Sequence, residues 1–162
     1  MFDTIALPAQ ISKPELYAHL LSQAQGLFHG ESNLIANAAN LSSLVFNALP
    51  QVNWCGFYLY DGTELVLGPF QGKVACIRIA LGRGVCGTAA QEGRTQLVPD
   101  VHAFPGHIAC DAASRSEIVV PLLRGNELLG VWDVDSPVAD RFDEDDRQGM
   151  EALCRVFVES LA

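Results

Sequence analysis

The apolar period of the chain changes twice, and these two changes restrict its fold more than any other feature. Apolar residues fall at helical spacing at Leu16, Leu20, Ala24 and Leu27, then at Leu34, Ile35, Ala38, Leu41, Val45 and Ala48. That spacing predicts two amphipathic helices. Ser12 caps the first in an S-x-x-E box with Glu15, Pro14 sits in its first turn, and Pro50 stops the second. From Asn53 the period is two: Trp54, Tyr58 and Tyr60 alternate with Cys55, Phe57 and Leu59, as on a strand with two different faces. Strand character then continues until Asp143, where a cap with acidic neighbours opens a last helix carrying Met150, Leu153, Phe157 and Leu161 on its inner side.

Between these limits the chain predicts a sequence of strands and turns. Asp61-Gly62 turns into ELVLG, and KVACIRIA reads as a third strand on which Val74, Cys76 and Arg78 share a face. Glycines at 82 and 84 end that strand, VCGTAAQEG predicts a short helix closing at Gly93, and TQLVPDV is a short extended piece. Residues 102–116 have no clean period and predict a loop packed over something, because a structureless stretch this long in a compact domain is usually functional. EIVVPLLRGNELLGVWDVDS is a hairpin around Gly125-Asn126. The expected fold class is α+β, a single domain over residues 1–162. Its antiparallel sheet has the terminal helices on one face and a ligand pocket under loops on the other.

Composition excludes several function classes. The 162 residues are 49% hydrophobic and 18% charged, in the range of a compact globular domain with one core. The net charge is −9, and the basic residues form no cluster, which argues against nucleic acid as a partner. No apolar run approaches the ~20 residues of a membrane span, and Met1 to Gln10 carries Asp3 without a basic stretch, unlike a secretory leader. The expectation is a cytoplasmic protein, in which five cysteines are buried small hydrophobes, metal ligands or redox groups rather than a disulfide framework.

Cys154 and Cys55 fall on apolar faces and read as core. Cys86 stands in GRGVCGT, beside glycines and a helix start that would stabilise its thiolate. Cys110 lies in the long loop. Zinc bound by His102, His107 and Cys110 is disfavoured, since the spacing lacks C-x-x-C and supplies too few suitable ligands for a structural site; no metal and no cofactor are expected. Asp133 and Asp135, two apart on a strand, share a face, and two acids in so apolar a hairpin are costly unless they hold something. A tight Gly125-Asn126 turn would pair Arg124 with Glu127 and leave Glu117 facing away from both aspartates. Convergence of the three acids therefore predicts an irregularity in the hairpin, with Pro121 as its candidate position.

The stretches NWCGFYLYDGTELVLGPFQGKVACIRIALGRGVCGTAA, DVHAFPGHIACDAASRSEIVVPL and GVWDVDSP closely resemble the free methionine-(R)-sulfoxide reductases, a family of stand-alone GAF domains. The similarity runs from the helix at Pro14 to the last helix, and other GAF domains lack both the three-cysteine set and the GHIACDAAS loop. The resemblance implies that Cys110 is the nucleophile on the sulfoxide sulfur, Cys76 its resolving partner and Cys86 an alternative or relay thiol. It further implies that Glu117, Asp133 and Asp135 hold the substrate, that Trp54 walls the methyl sulfide end, and that the protein is a homodimer reduced by thioredoxin. Cys55 departs from the family pattern, where a small residue such as alanine is expected, and adds a thiol beside Trp54. The alternative is a non-catalytic GAF module that binds a small regulatory ligand.

Overall fold

The computed structural model describes residues 10–107 and 111–161. Cys110 and most of the N-terminal stretch considered as a leader lie outside the described residues. Helix α1 (Lys13–Phe28) begins at the predicted capping box, in which Ser12 and Glu15 satisfy each other's backbone N–H groups. Helix α2 (Leu34–Ala48) is capped by Asn33. Strands β1 (Trp54–Tyr60) and β2 (Glu64–Gly72) follow, then β3 (Arg78–Ala80), α3 (Gly84–Glu92) and β4 (Gln96–Val98). The last three elements are β5 (Ser116–Arg124), β6 (Glu127–Ser136) and α4 (Glu144–Ser160).

The strands form one antiparallel sheet in the order β3-β2-β1-β6-β5-β4. Helices α1, α2 and α4 cover one face, as expected, and enclose the larger core, which includes Leu20, Leu41, Phe57, Ile118, Trp132 and Phe157. The other face carries a smaller cluster that includes Trp54, Tyr58, Leu65, Val119 and Val131, with α3 packed on it through Val85, Cys86 and Ala89. The alternation in β1 is thus read out as predicted, Cys55 and Phe57 toward the helices, Trp54 and Tyr58 toward the second face. Cys154 and Cys55 are free thiols in the helix-side core. No helix among the described residues is long and apolar enough to cross a membrane.

Two details differ from the sequence reading. The expected third strand is only Arg78–Ala80; Lys73 to Ile77 lies outside any strand, so Val74, Cys76 and Arg78 do not share a strand face. Side chains already turned toward this stretch explain the departure. The Trp54 indole N–H donates to the Lys73 carbonyl at 3.0 Å and the Tyr58 hydroxyl to the Cys76 carbonyl at 3.0 Å, replacing ladder bonds. The hairpin irregularity exists, but it is not at Pro121, which pairs in register with Val131. The turn is tight, with Arg124 opposite Glu127, and the register shifts between Leu122 and Leu123 so that Leu129 is the extra residue. The kink falls there because Gly130 takes φ +155°, and a Cβ on it would run into the Tyr58 carbonyl oxygen.

Candidate active site

The bulge sets the chemistry of the pocket face. Beyond it Glu117 stands opposite Asp135, and Asp135 opposite Trp54, so one row across β5, β6 and β1 carries two acids and an indole. The next row on the same face places Asp133 between Val119 and Gly56. A Cβ at Gly56 would collide with the Trp54 ring and Phe70, so glycine there lets the indole lie across the strand. Trp54 is stacked between Tyr58 and Phe70 at centroid distances of 5.9 and 5.3 Å. The three acids and Trp54 singled out from the sequence therefore meet on one surface.

Cys86 comes down onto this surface from the first turn of α3. Its Sγ lies 3.3 Å from Asp133 Oδ2 and 4.0 Å from Glu117 Oε1. Burial, then the neighbouring carboxylates, push its thiol well above the ordinary cysteine range. The expected stabilisation of a Cys86 thiolate by the helix start is thus overturned: loss of solvent and two acids outweigh a half-charge of backbone dipole. Cys76 is half-buried in the Lys73–Ile77 segment and is disulfide-bonded, whereas Cys55, Cys86 and Cys154 are free thiols. Cys110 itself lies outside the described residues.

The acids are all shifted in one direction. Burial raises Asp133 to about 7, and raises Glu117 and Asp135 well above the usual carboxylate range, with mutual repulsion adding to it. Repulsion from Asp133 and Asp135 adds to burial at Glu117, which favours a neutral Glu117 carboxyl. Asp133 Oδ1 is buried without a hydrogen-bond partner among the described residues. The cavity here is about 30 Å³, and Cys86, Glu117, Asp133, Asp135, Tyr58 and His107 are among its lining residues.

Sequence reasoning missed Tyr58 and Asp111 as contributors and weighed His107 only as a zinc ligand. Tyr58 was read only as a strand residue, yet it touches both the pocket and the Cys76 segment. His107 Nε2 is 4.0 Å from Glu117 Oε2; burial lowers its pKa, so the contact joins two groups that are neutral near pH 7. Asp111 binds Asn53 Nδ2 at 3.3 Å and lies 3.7 Å from Lys73 Nζ, and the Ala113 backbone N–H holds its carboxyl below the ordinary range. The D-x-A turn in CDAAS was the available signal for Asp111. His102 and His107, weighed as zinc ligands, stand edge to face at 6.4 Å. The donor group that the described residues bring within ion-binding reach is instead Cys86, Glu117 and Asp133.

Known proteins share this arrangement of elements. Residues 38–161 match the GAF domain family. The chain is 52% identical over 143 residues to the free methionine-R-sulfoxide reductase of Escherichia coli (strain K12), which covers 88% of this chain and 87% of that protein. A structure from Burkholderia vietnamiensis, described as a GAF sensor protein, is 70% identical with a TM-score of 0.91, over 93% of this chain and 96% of that one. The free methionine-R-sulfoxide reductase of Neisseria meningitidis in complex with its substrate has a TM-score of 0.92 at 41% identity, over 98% of this chain and 95% of that one.

Proposed function

The chain belongs to the GAF domain family and, within it, to the free methionine-R-sulfoxide reductases, and on that premise we propose that it reduces free L-methionine-(R)-sulfoxide to methionine. The observation that carries this reading is the meeting of Glu117, Asp133, Asp135 and Trp54 on one face, with Cys76 on the segment that Trp54 and Tyr58 tether.

A sulfoxide is a poor electrophile until its oxygen is protonated. Glu117, held neutral, supplies a proton donor; Asp133 and Asp135 ionise when a cationic ammonium enters and replaces the protons that burial favours. Each such charge-assisted contact is worth roughly 1.5–3 kcal/mol. A methionine sulfoxide residue inside a protein has no ammonium, so the acidic cage selects the free amino acid. Trp54 offers an apolar wall for the methyl sulfide end.

Cys110 then attacks the sulfoxide sulfur, the oxygen passes to Cys110 as a sulfenic acid, and methionine leaves. Cys76 condenses with that sulfenic acid, releasing water and forming a disulfide, which a dithiol reductant of the thioredoxin type returns to two thiols. A disulfide at Cys76 beside three free cysteines is the redox pattern that this cycle uses. Cys86, buried with a raised pKa, is a slow thiol that serves as the secondary or relay group. A homodimer completes the proposal.

Incubating the protein with racemic free methionine sulfoxide, thioredoxin, thioredoxin reductase and NADPH should consume the R epimer alone, and Cys110→Ser should abolish that consumption. Binding without turnover would instead identify a ligand-sensing GAF module.

A further inference from the structure

The cluster of Cys86, Glu117 and Asp133 has a second chemical capacity besides holding an ammonium. One donor atom from each residue lies within 4.8 Å of the other two, and all three residues are buried. The measured edges are 3.3 Å from Cys86 Sγ to Asp133 Oδ2 and 4.0 Å from Cys86 Sγ to Glu117 Oε1. Zinc–sulfur and zinc–oxygen bonds of about 2.3 and 2.0–2.2 Å give a tetrahedron with sulfur–oxygen edges of roughly 3.5 Å. The triangle therefore needs only small side-chain movement to close on an ion.

Two independent observations point into the same space. Asp133 is 6% exposed, and its Oδ1 has no hydrogen-bond partner among the described residues, an unsatisfied buried acceptor that a bound cation would satisfy. The cavity beside it has about 30 Å³ of room, enough for an ion or a water. His107 Nε2 lies 4.0 Å from Glu117 Oε2, outside the three-residue donor group itself.

We propose that Cys86, Glu117 and Asp133 form a three-donor site for a single thiophilic divalent cation of the zinc class. The sulfur donor and low ligand number exclude magnesium and calcium, which take oxygen ligands in larger shells. The net charge of −9 favours cation accumulation around the molecule. Occupancy blocks the carboxylates assigned above to the substrate's ammonium, so the ion is a reversible competitive inhibitor; this last step rests on the proposed function, whereas binding does not.

Cobalt(II) titration of the wild-type chain, with its Cys76 disulfide kept oxidised, tests the site without any turnover. The expected result is one saturable site with a thiolate-to-cobalt charge-transfer band in the near ultraviolet, displaced by zinc. Cys86→Ser should remove the band, and Asp133→Asn should weaken cobalt binding by about tenfold to a hundredfold. Circular dichroism of both variants shows that they are folded; if one is not, the other still decides. Absence of the band in the wild type, or its persistence in Cys86→Ser, overturns the proposal. Added L-methionine should raise the apparent dissociation constant for cobalt. A band that methionine does not displace supports the metal site and counts against the assignment of these acids to the amino-acid end.

Discussion

Asp133 is the residue at which burial, charge and recognition coincide. Its carboxyl, raised to about 7 by burial, binds its proton more tightly in the folded chain than in the unfolded one. The protonated form therefore favours folding, and that contribution disappears as pH rises through about 7. Glu117 and Asp135 are shifted the same way. Asp61, Asp111, Asp143 and Glu144 are shifted down and act with the opposite sign, losing their stabilisation only as pH falls through the acid range. Stability should thus peak in the mildly acidic range and decline from pH 5 to pH 8. Urea denaturation at the two pH values measures this, and Asp133→Asn should flatten the decline by up to about 2.5 kcal/mol. Stability that climbs across the same interval would contradict the assignment. Asp133 and Asp135 were legible in the sequence because alternation on a strand fixes a shared face, whereas Glu117 could join them only through an irregular hairpin and Trp54 was assigned by the family resemblance. The suppressed acidity of Cys86 was not, because it depends on Asp133 and Glu117, which reach it from other elements of the fold.

At the level of elements, the Lys73–Ile77 segment and the β6 bulge decide whether the pocket works. Tyr58 tethers the segment by its hydroxyl, and Tyr58→Phe removes that bond, worth about 0.5–1.5 kcal/mol. In a single turnover the release of methionine should be unchanged, while formation of the Cys76 disulfide should slow by about two- to tenfold. Rapid quench with mass spectrometry separates these steps, and equal slowing of both would assign Tyr58 to substrate binding instead. Gly130→Ala is a harsher change, since its Cβ meets the Tyr58 carbonyl at a φ unfavourable to any side chain. A loss of a few kcal/mol is expected in thermal or urea unfolding, together with most activity, because Glu117 returns toward the helix side if β6 runs straight. The need for an irregular hairpin was deducible by counting residues from the turn. Its location was not, because Pro121 carries the stronger local signal, while the actual site is chosen by the crossing of β6 over the Tyr58 backbone.

Across the whole molecule, stability and chemistry are separated by the sheet. The helix side is closed by a network in which fully buried Asp146 accepts from the Tyr17 hydroxyl at 2.8 Å and pairs with Lys13 and with Arg141. It joins α1 to the start of α4, where Gly149 lets the Tyr17 ring lie against the helix. Asp146→Ala leaves Arg141 without its buried carboxylate and the Tyr17 hydroxyl without its acceptor, while Lys13 keeps Asp143, and should cost about 3 kcal/mol in chemical denaturation. The folded fraction at 25 °C should keep its kcat/KM, since none of the partners lines the pocket; a drop in kcat/KM at full folding would show that the two faces communicate. The helices and their order were readable because caps and period agree at each end, whereas Asp146 was read only as a helix-dipole residue, its partners being contributed from distant parts of the chain.

The three central strands carry a further consequence. Along β1, β5 and β6 one set of alternate residues, such as Phe57, Ile118, Val120 and Trp132, sits among the helices, and the interleaved set, such as Trp54, Glu117, Asp133 and Asp135, faces the cavity. A saturation screen scored separately for cellular abundance and for growth on methionine sulfoxide should therefore resolve into two combs with offset teeth. Neighbouring codons would answer to different selections, and the parity of a position would forecast which one.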